Sequence, residues 1–310
     1  MQRAAHRILP DGRRLHLHHG PIDIVAEAFG PHDAVAAAYS RAIARFETVL
    51  DELVAELPAL RMPISTSLGP HGAVFAGETA RIMGAAAARF RPAFVTPMAA
   101  VAGAVAETIL AAMTADPAIA RAYANNGGDI ALHLAPGAEP LRARIAVDPA
   151  AFASPGDLVI AADAPWRGVA TSGRHGRSHS LGIADSVTVV APRAALADVA
   201  ATLIANAVDL PGHPAVRRAP AASLAPDSDL GERLVTIGVG PLSTVEVAQA
   251  LDAGEEIAEE YVAAGLIGGA LVVLGGVARV VGALPLAAAR NETTRKGVPP
   301  WPRSSSARTS

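Results

Sequence analysis

The sequence predicts an α+β fold, with helices layered on mostly antiparallel sheet, and three observations predict it. Strand-like segments arrive in runs, not in one-for-one alternation with helices. A hairpin followed by helices occurs in each half of the chain, which points to two related subdomains, although no sequence repeat accompanies it. Of 310 residues, 51% are hydrophobic but only 4% aromatic, so the core must be built from Ala, Val, Leu and Ile, side chains that let layers approach closely.

The elements follow in order. RRLHLHH and IDIVAEA alternate apolar and polar residues on either side of Gly20-Pro21, the pattern of a hairpin. Its His16 and His18 share one strand face and suit a surface edge strand better than a metal site. Pro31 to about Leu60 has helical periodicity, with Pro31 and Asp33 at its start and Pro58 near its end. RMPISTSLGPHG reads as a loop, and Gly77 to Phe90 as an Ala-rich helix that Pro92 stops. Thr96 and Pro97 are start signals for the next helix, PMAAVAGAVAETILAAM. On it, Ala99, Ala102, Gly103 and Ala106 form a small-residue stripe that predicts a very close neighbour.

AYANNGGDIALHL places Asn126-Gly127, a strong hairpin signal, before an alternating strand. LRARIAV, DLVIAA, GVATS and SVTVVAP read as short strands, and Ala194 to Leu210 as a helix. HPAVRRAPAASLAPDSDLG reads as a loop, RLVTIGV as a strand, and Ser243 as the cap of a helix reaching Ala264. Tyr261 to Ala278 is apolar enough to consider as a bilayer span, but its five glycines divide it into a buried strand, a Gly275-Gly276 turn and a returning strand. Residues 1–286 are expected to form one domain, and residues 287–310 have the composition of a disordered end.

Composition excludes several functions. A formal net charge of −3 gives no electrostatic reason to expect nucleic acid or an anionic membrane as partner. The single lysine, Lys296, lies in the tail, so neither a P-loop nor a Schiff-base lysine fits the folded part. With no cysteine there are no disulfides or thiolate zinc sites. The opening twenty residues lack an apolar secretory core, and the expectation is a cytoplasmic protein.

Three stretches can carry chemistry. In the first, the turn accounts for Asn126 and Gly127, whereas Gly128 and Asp129 are also what a backbone cradle for a ligand would need; both readings stand. The second, GVATSGRHGRSHSLGIADS, packs hydroxyls, glycines and the basic group Arg174, His175, Arg177 and His179 into one loop, suited to phosphate oxygens or simply to solvent. It lacks the final glycine of a serine-hydrolase elbow. In the third, Asp198 and Thr202 lie four apart on a helix, so a carboxylate and a hydroxyl share a face and can share one hard cation such as Mg²⁺, or serve only dipole and packing.

Asn-Gly-Gly-Asp-Ile, Ala-Thr-Ser-Gly, a strand like SVTVVAP and Ala-Asp-x-x-x-Thr, in that order, resemble the ApbE superfamily of FAD:protein FMN transferases. GPIDIVAEAFG, TPMAAVAGAVAE and LIANAVDLPGH resemble more particularly a shorter branch of it, an uncharacterised protein family (UPF), from about Arg13 to Gly282. The resemblance implies two related subdomains of the T-fold kind with a cleft for FAD between them. It also implies Mg²⁺ on the pyrophosphate, and transfer of FMN to a threonine of a partner protein with release of AMP. By position, Asp198 and Thr202 match the metal-binding pair. Asn126, Gly127, Gly128 and Asp129, with Thr171, Ser172 and Gly173, match loops lining the flavin nucleotide site.

Two departures bear on the activity. No lysine stands at the helix start where the transferases carry one, and the loop containing His179 is compressed. The reading is therefore a flavin- or nucleotide-binding protein. As an Mg-dependent FMN transferase, it would have Arg174 and Arg177 holding phosphate and His179 as general base. The alternative is a non-catalytic module that holds a flavin, purine or pterin-like ring.

Overall fold

The computed structural model of the protein describes residues 3–64, 75–145, 156–176 and 178–287. The predicted disordered end therefore lies outside the described residues, apart from Ala287. The first half runs β1 (Ala5–Ile8), β2 (Leu15–His19), β3 (Ile22–Phe29), α1 (His32–Ala55), α2 (Leu57–Leu60) and α3 (Glu78–Ala88). A 3₁₀ turn (Pro97–Ala100) then leads into α4 (Val101–Met113), β4 (Arg121–Asn126) and β5 (Asp129–Leu134). After β6 (Leu141–Arg144) and β7 (Asp157–Ile160), the second half runs β8 (Gly168–Ser172), β9 (Ser186–Ala191) and α5 (Ala194–Ala207). It continues through β10 (Val216–Pro220), α6 (Ala221–Leu224), β11 (Leu234–Val239), α7 (Thr244–Ala263), β12 (Gly269–Leu274), β13 (Val277–Gly282) and β14 (Leu286–Ala287).

The fold is α+β. Nine strands form one sheet in the order β1-β2-β3-β4-β5-β8-β9-β12-β13, and every neighbouring pair is antiparallel. Each half contributes a hairpin, helices and a second hairpin: β2-β3 and β4-β5 around α1 to α4, β8-β9 and β12-β13 around α5 and α7. The duplication expected from the element order is thus present in the topology. The two halves meet where β5 pairs with β8 through Ile130↔Val169 and Ala131↔Gly168.

Strand alternation sets the two faces. On one, Leu15, Leu17, Ile24, Ala26, Ala122, Ala124, Val187 and Val189 join α1, α4, α5 and α7 in the main core, built largely of Ala and Val as composition requires. On the other, Leu132, Leu134, Val169, Val190 and Leu271 pack under a three-stranded sheet, β14-β7-β6, with Leu158 and Ile160.

Several expectations change. β1 pairs with β2, so the strand bearing His16 and His18 is second from the edge, and Asp23 of β3 faces both: His16 Nε2 lies 2.9 Å from Asp23 Oδ1, His18 Nδ1 3.7 Å from Oδ2. The expected loop 213–231 contains β10, which pairs with β11 to form a separate two-stranded ribbon. Thr96 does not cap its helix through its side chain; its hydroxyl donates to Asp229 Oδ2 at 2.5 Å. Ser243 does cap α7, in a reciprocal box with Glu246.

The small-residue stripe has its predicted neighbour. A Cβ on Gly103 would lie 2.4 Å from the carbonyl oxygen of Ala194, and one on Gly168 2.2 Å from the carbonyl carbon of Arg193. The start of α5 is therefore wedged between α4 and β8, at distances only glycine allows. Gly103→Ala is expected to force these backbones apart and cost roughly 1–3 kcal/mol, as overpacking does; urea denaturation should show a lowered midpoint.

Candidate functional site

A cavity of about 460 Å³ opens where the two halves meet. The lead into α4 supplies Phe94, Thr96, Met98 and Ala102; β5 supplies Asp129 at its first residue; the end of β8 and its following loop supply Thr171, Ser172, Ser178 and His179. α5 presents Asp198, Thr202 and Asn206, the connection after α6 presents Asp227, Ser228 and Asp229, and Arg61 closes one wall. Of the residues nominated from sequence, the cavity therefore brings together Asp129, Thr171, Ser172, His179, Asp198 and Thr202.

Asp198 sits one helical turn before Thr202, and its carboxylate reaches the start of α4. Oδ2 accepts the Gly103 N–H at 2.9 Å, and the Ala102 N–H also donates to the carboxylate. These are amides of a helix N-terminus, where a negative charge is favoured. Burial and, after it, the Asp129 carboxylate push the Asp198 acid well above the ordinary carboxylate range, against the pull of the two amides. Asp129 is itself oriented by the Thr171 N–H, 3.2 Å from Oδ1. Two carboxylates and the Thr202 hydroxyl make a set of hard oxygens that fits Mg²⁺. No group of three or more His, Cys, Asp or Glu residues arranged for a metal occurs among the described residues. Such a cation would therefore complete its shell with the hydroxyl, water and a ligand's own oxygens.

The glycines of the first stretch are elsewhere. Asn126 pairs with Asp129, so Gly127 and Gly128 are the two central residues of the turn, with φ of 68° and 120°. Two positive φ values in a two-residue hairpin explain both glycines, and the expected Asn126-Gly127 turn is displaced by one residue. Gly128 N–H donates to Asn125 Oδ1 at 2.9 Å, and the glycines line a separate groove of about 450 Å³ with Arg14, Tyr123 and Asn125. Asn126 is buried behind the cavity: Nδ2 donates to the Ala102 carbonyl at 3.2 Å and Oδ1 accepts from Asp23 N–H at 3.4 Å.

The basic loop also divides. Arg174 donates to Asp185 Oδ1 from Nε at 2.9 Å and Nη2 at 2.5 Å; Gly275 N–H donates to Oδ2 at 2.7 Å. Its guanidinium thus braces the loop on the β12–β13 turn instead of facing the cavity. Gly173 is needed there, because a Cβ would stand 2.5 Å from the Asp185 carbonyl oxygen. Arg177 lies outside the described residues. His179 is exposed at the cavity mouth, next to Ser180 and Leu181, both of which donate to Asn206 Oδ1.

Sequence reasoning missed Arg61, Phe94, Asn206, Asp227 and Asp229. Phe94 had a readable signal, an isolated aromatic just before a helix start in an aromatic-poor chain. Asp227 and Asp229 look like ordinary loop acids until β10 and β11 bring their connection over the cavity. There the Arg233 guanidinium stacks 3.4 Å from the Phe94 ring centroid.

A family model described as AbpE bacteria matches residues 6–280. A UPF0280 protein of Methanopyrus kandleri (strain AV19) is 37% identical over 175 residues, 54% of this chain and 63% of that protein. A UPF0280 protein of Methanosphaerula palustris is 36% identical over 160 residues, 51% of this chain and 63% of that protein. The chain thus spans 63% of the length of each of these relatives. Among solved structures, the apo form of the Pseudomonas stutzeri flavinyl transferase ApbE aligns with 90% of this chain and 94% of its own, at a TM-score of 0.38 and 13% identity. No helix of the described residues is long and apolar enough to cross a membrane.

The Asp198 charge gives a stability prediction with a defined sign. Its folded-state pKa is raised, so it destabilises the metal-free fold at neutral pH and ceases to do so once pH falls below the ordinary aspartate value. Asp198→Asn, which can still accept the Gly103 N–H, should stabilise the metal-free protein at pH 7 and make no difference near pH 3.5 in urea denaturation. An equal effect at both pH values would mean that the carboxylate is not destabilised.

Proposed function

This chain belongs to the family described as AbpE bacteria, and from that premise we propose that it binds a flavin nucleotide in the cavity between its halves and transfers FMN from FAD to a hydroxyl of a partner protein. One observation carries the reading. Asp129, Thr171, Ser172, His179, Asp198 and Thr202, drawn from three segments far apart in sequence and nominated by the transferase resemblance, line a single cavity. Its volume is that of an ordinary small-molecule site.

Asp198 and Thr202, with Asp129 beside them, would hold a divalent cation. When bound, it would neutralise pyrophosphate charge and ease departure of the leaving group. The chain's own groups do the rest. Thr171 and Ser172 offer hydroxyls to the nucleotide, and Asn206 fixes the backbone that carries His179. In the transfer, the acceptor's hydroxyl oxygen forms a bond to the FMN phosphorus and the bond from that phosphorus to the AMP phosphate oxygen breaks. AMP leaves with the electron pair, and the hydroxyl proton passes to His179. The protein is proposed to act in the cytoplasm as a single domain over residues 1–286.

A second reading, a binding module without catalysis, draws support from His179. No hydrogen bond orients its imidazole among the described residues, and the helix start at the cavity has no lysine. Incubation with FAD, MgCl₂ and a threonine-containing acceptor peptide separates the two, with AMP followed by chromatography. The transferase reading expects AMP release that Asp198→Ala lowers on the order of a hundredfold. FAD binding without AMP release, unchanged in Asp198→Ala, would replace it with the second reading.

A further inference from the structure

The cavity has an electrostatic imbalance that the cation alone does not answer. Asp129, Asp198, Asp227 and Asp229 line it, against one guanidinium, that of Arg61. An anionic ligand entering such a site needs a positive group away from the Asp198 end as well as near it. Among the described residues, the other arginines around the cavity make contacts of their own. Arg174 pairs with Asp185, Arg233 covers the Phe94 ring, and Arg218 binds the Leu181 carbonyl and Asp209. Arg61 is half-buried on the wall and has no side-chain hydrogen bond or ion pair among the described residues.

Its backbone, by contrast, is fixed. Arg61 N–H donates to the Leu57 carbonyl at 3.1 Å, closing α2, and Leu60 before it is fully buried. Three residues on, Ile64 N–H donates to the Val95 carbonyl at 2.9 Å, which ties this segment to the one carrying Phe94 and Thr96. A cationic fork on a braced backbone, lining a cavity and without a side-chain partner among the described residues, is poised to pair with something else.

We propose that Arg61 is the anion-holding residue of this cavity, taking phosphate oxygens of the ligand by charge-assisted hydrogen bonds. This deepens the nucleotide reading, on which it rests only for the identity of the rest of the ligand. It gives Arg61 the phosphate-holding part expected of Arg174, whose guanidinium is taken by Asp185.

The test is isothermal titration calorimetry of the full chain in Mg²⁺, with inorganic pyrophosphate, ADP, FAD and riboflavin as probes. Wild-type protein should bind pyrophosphate, ADP and FAD. Arg61→Ala should weaken all three about tenfold to a hundredfold, as loss of a charged hydrogen bond does, and leave riboflavin unchanged. Arg61→Lys, which keeps the charge and the fold, should fall between. Pyrophosphate binding that depends on Arg61, without any FAD or riboflavin binding, would uphold Arg61 and remove the flavin reading. Equal affinity of wild type and Arg61→Ala for the phosphate probes, or no binding of them by wild type, would overturn the assignment.

Discussion

The contact on which the rest depends is the one between the Asp198 carboxylate and the first amides of α4. It exists because two glycines, Gly103 and Gly168, allow α4 and β8 to close on the beginning of α5 at backbone distances. That closure carries Asp198 out of water and to within electrostatic reach of Asp129, an arrangement that opposes folding. Helix amides compensate in part, and the main core of small aliphatics supplies the remainder. The protein thus holds two acids close together at the cavity, at a cost that the rest of the fold offsets.

Much of this was legible in sequence because it rests on local rules. The periods of two and 3.6 gave the hairpins and the long helices, and Ser243 gave the start of α7. Asp198 and Thr202 share a helix face by spacing alone. What failed was decided by contacts across the chain. Thr96 looks like a cap, but Asp229, 133 residues away, takes its hydroxyl. Arg174 looks free for an anion, but its Nε and Nη2 donate to Asp185. The turn is at Gly127-Gly128 and not Asn126-Gly127, and Asn126 instead ends β4, buried, with its Nδ2 donating to the Ala102 carbonyl from across the chain. Arg61 carried no pattern at all; only the fold puts it on the cavity wall.

The two halves share an order of elements but not a surface. The outer face is roofed by β6, β7 and β14 across the seam, over Val169, Val190 and Leu271 of the second half and Leu132 and Leu134 of β5, around Leu158 and Ile160. The first half leaves part of its outer face, with Tyr123 and the glycine turn, open as a groove. The joint between them is short along the sheet, two residue pairs of β5 and β8. The packing of α4 on α5 across that joint is what makes the halves one body, and the cavity lies beside this seam.

One wall of the cavity comes from outside the duplicated plan. The excursion through β10 and β11 hangs from the second half between α5 and α7, and it touches the first half through Arg233 on Phe94 and Asp229 on Thr96. A substitution in this appendage would therefore reshape the cavity's upper wall while leaving Asp129 on the sheet and Asp198 on α5 where they stand.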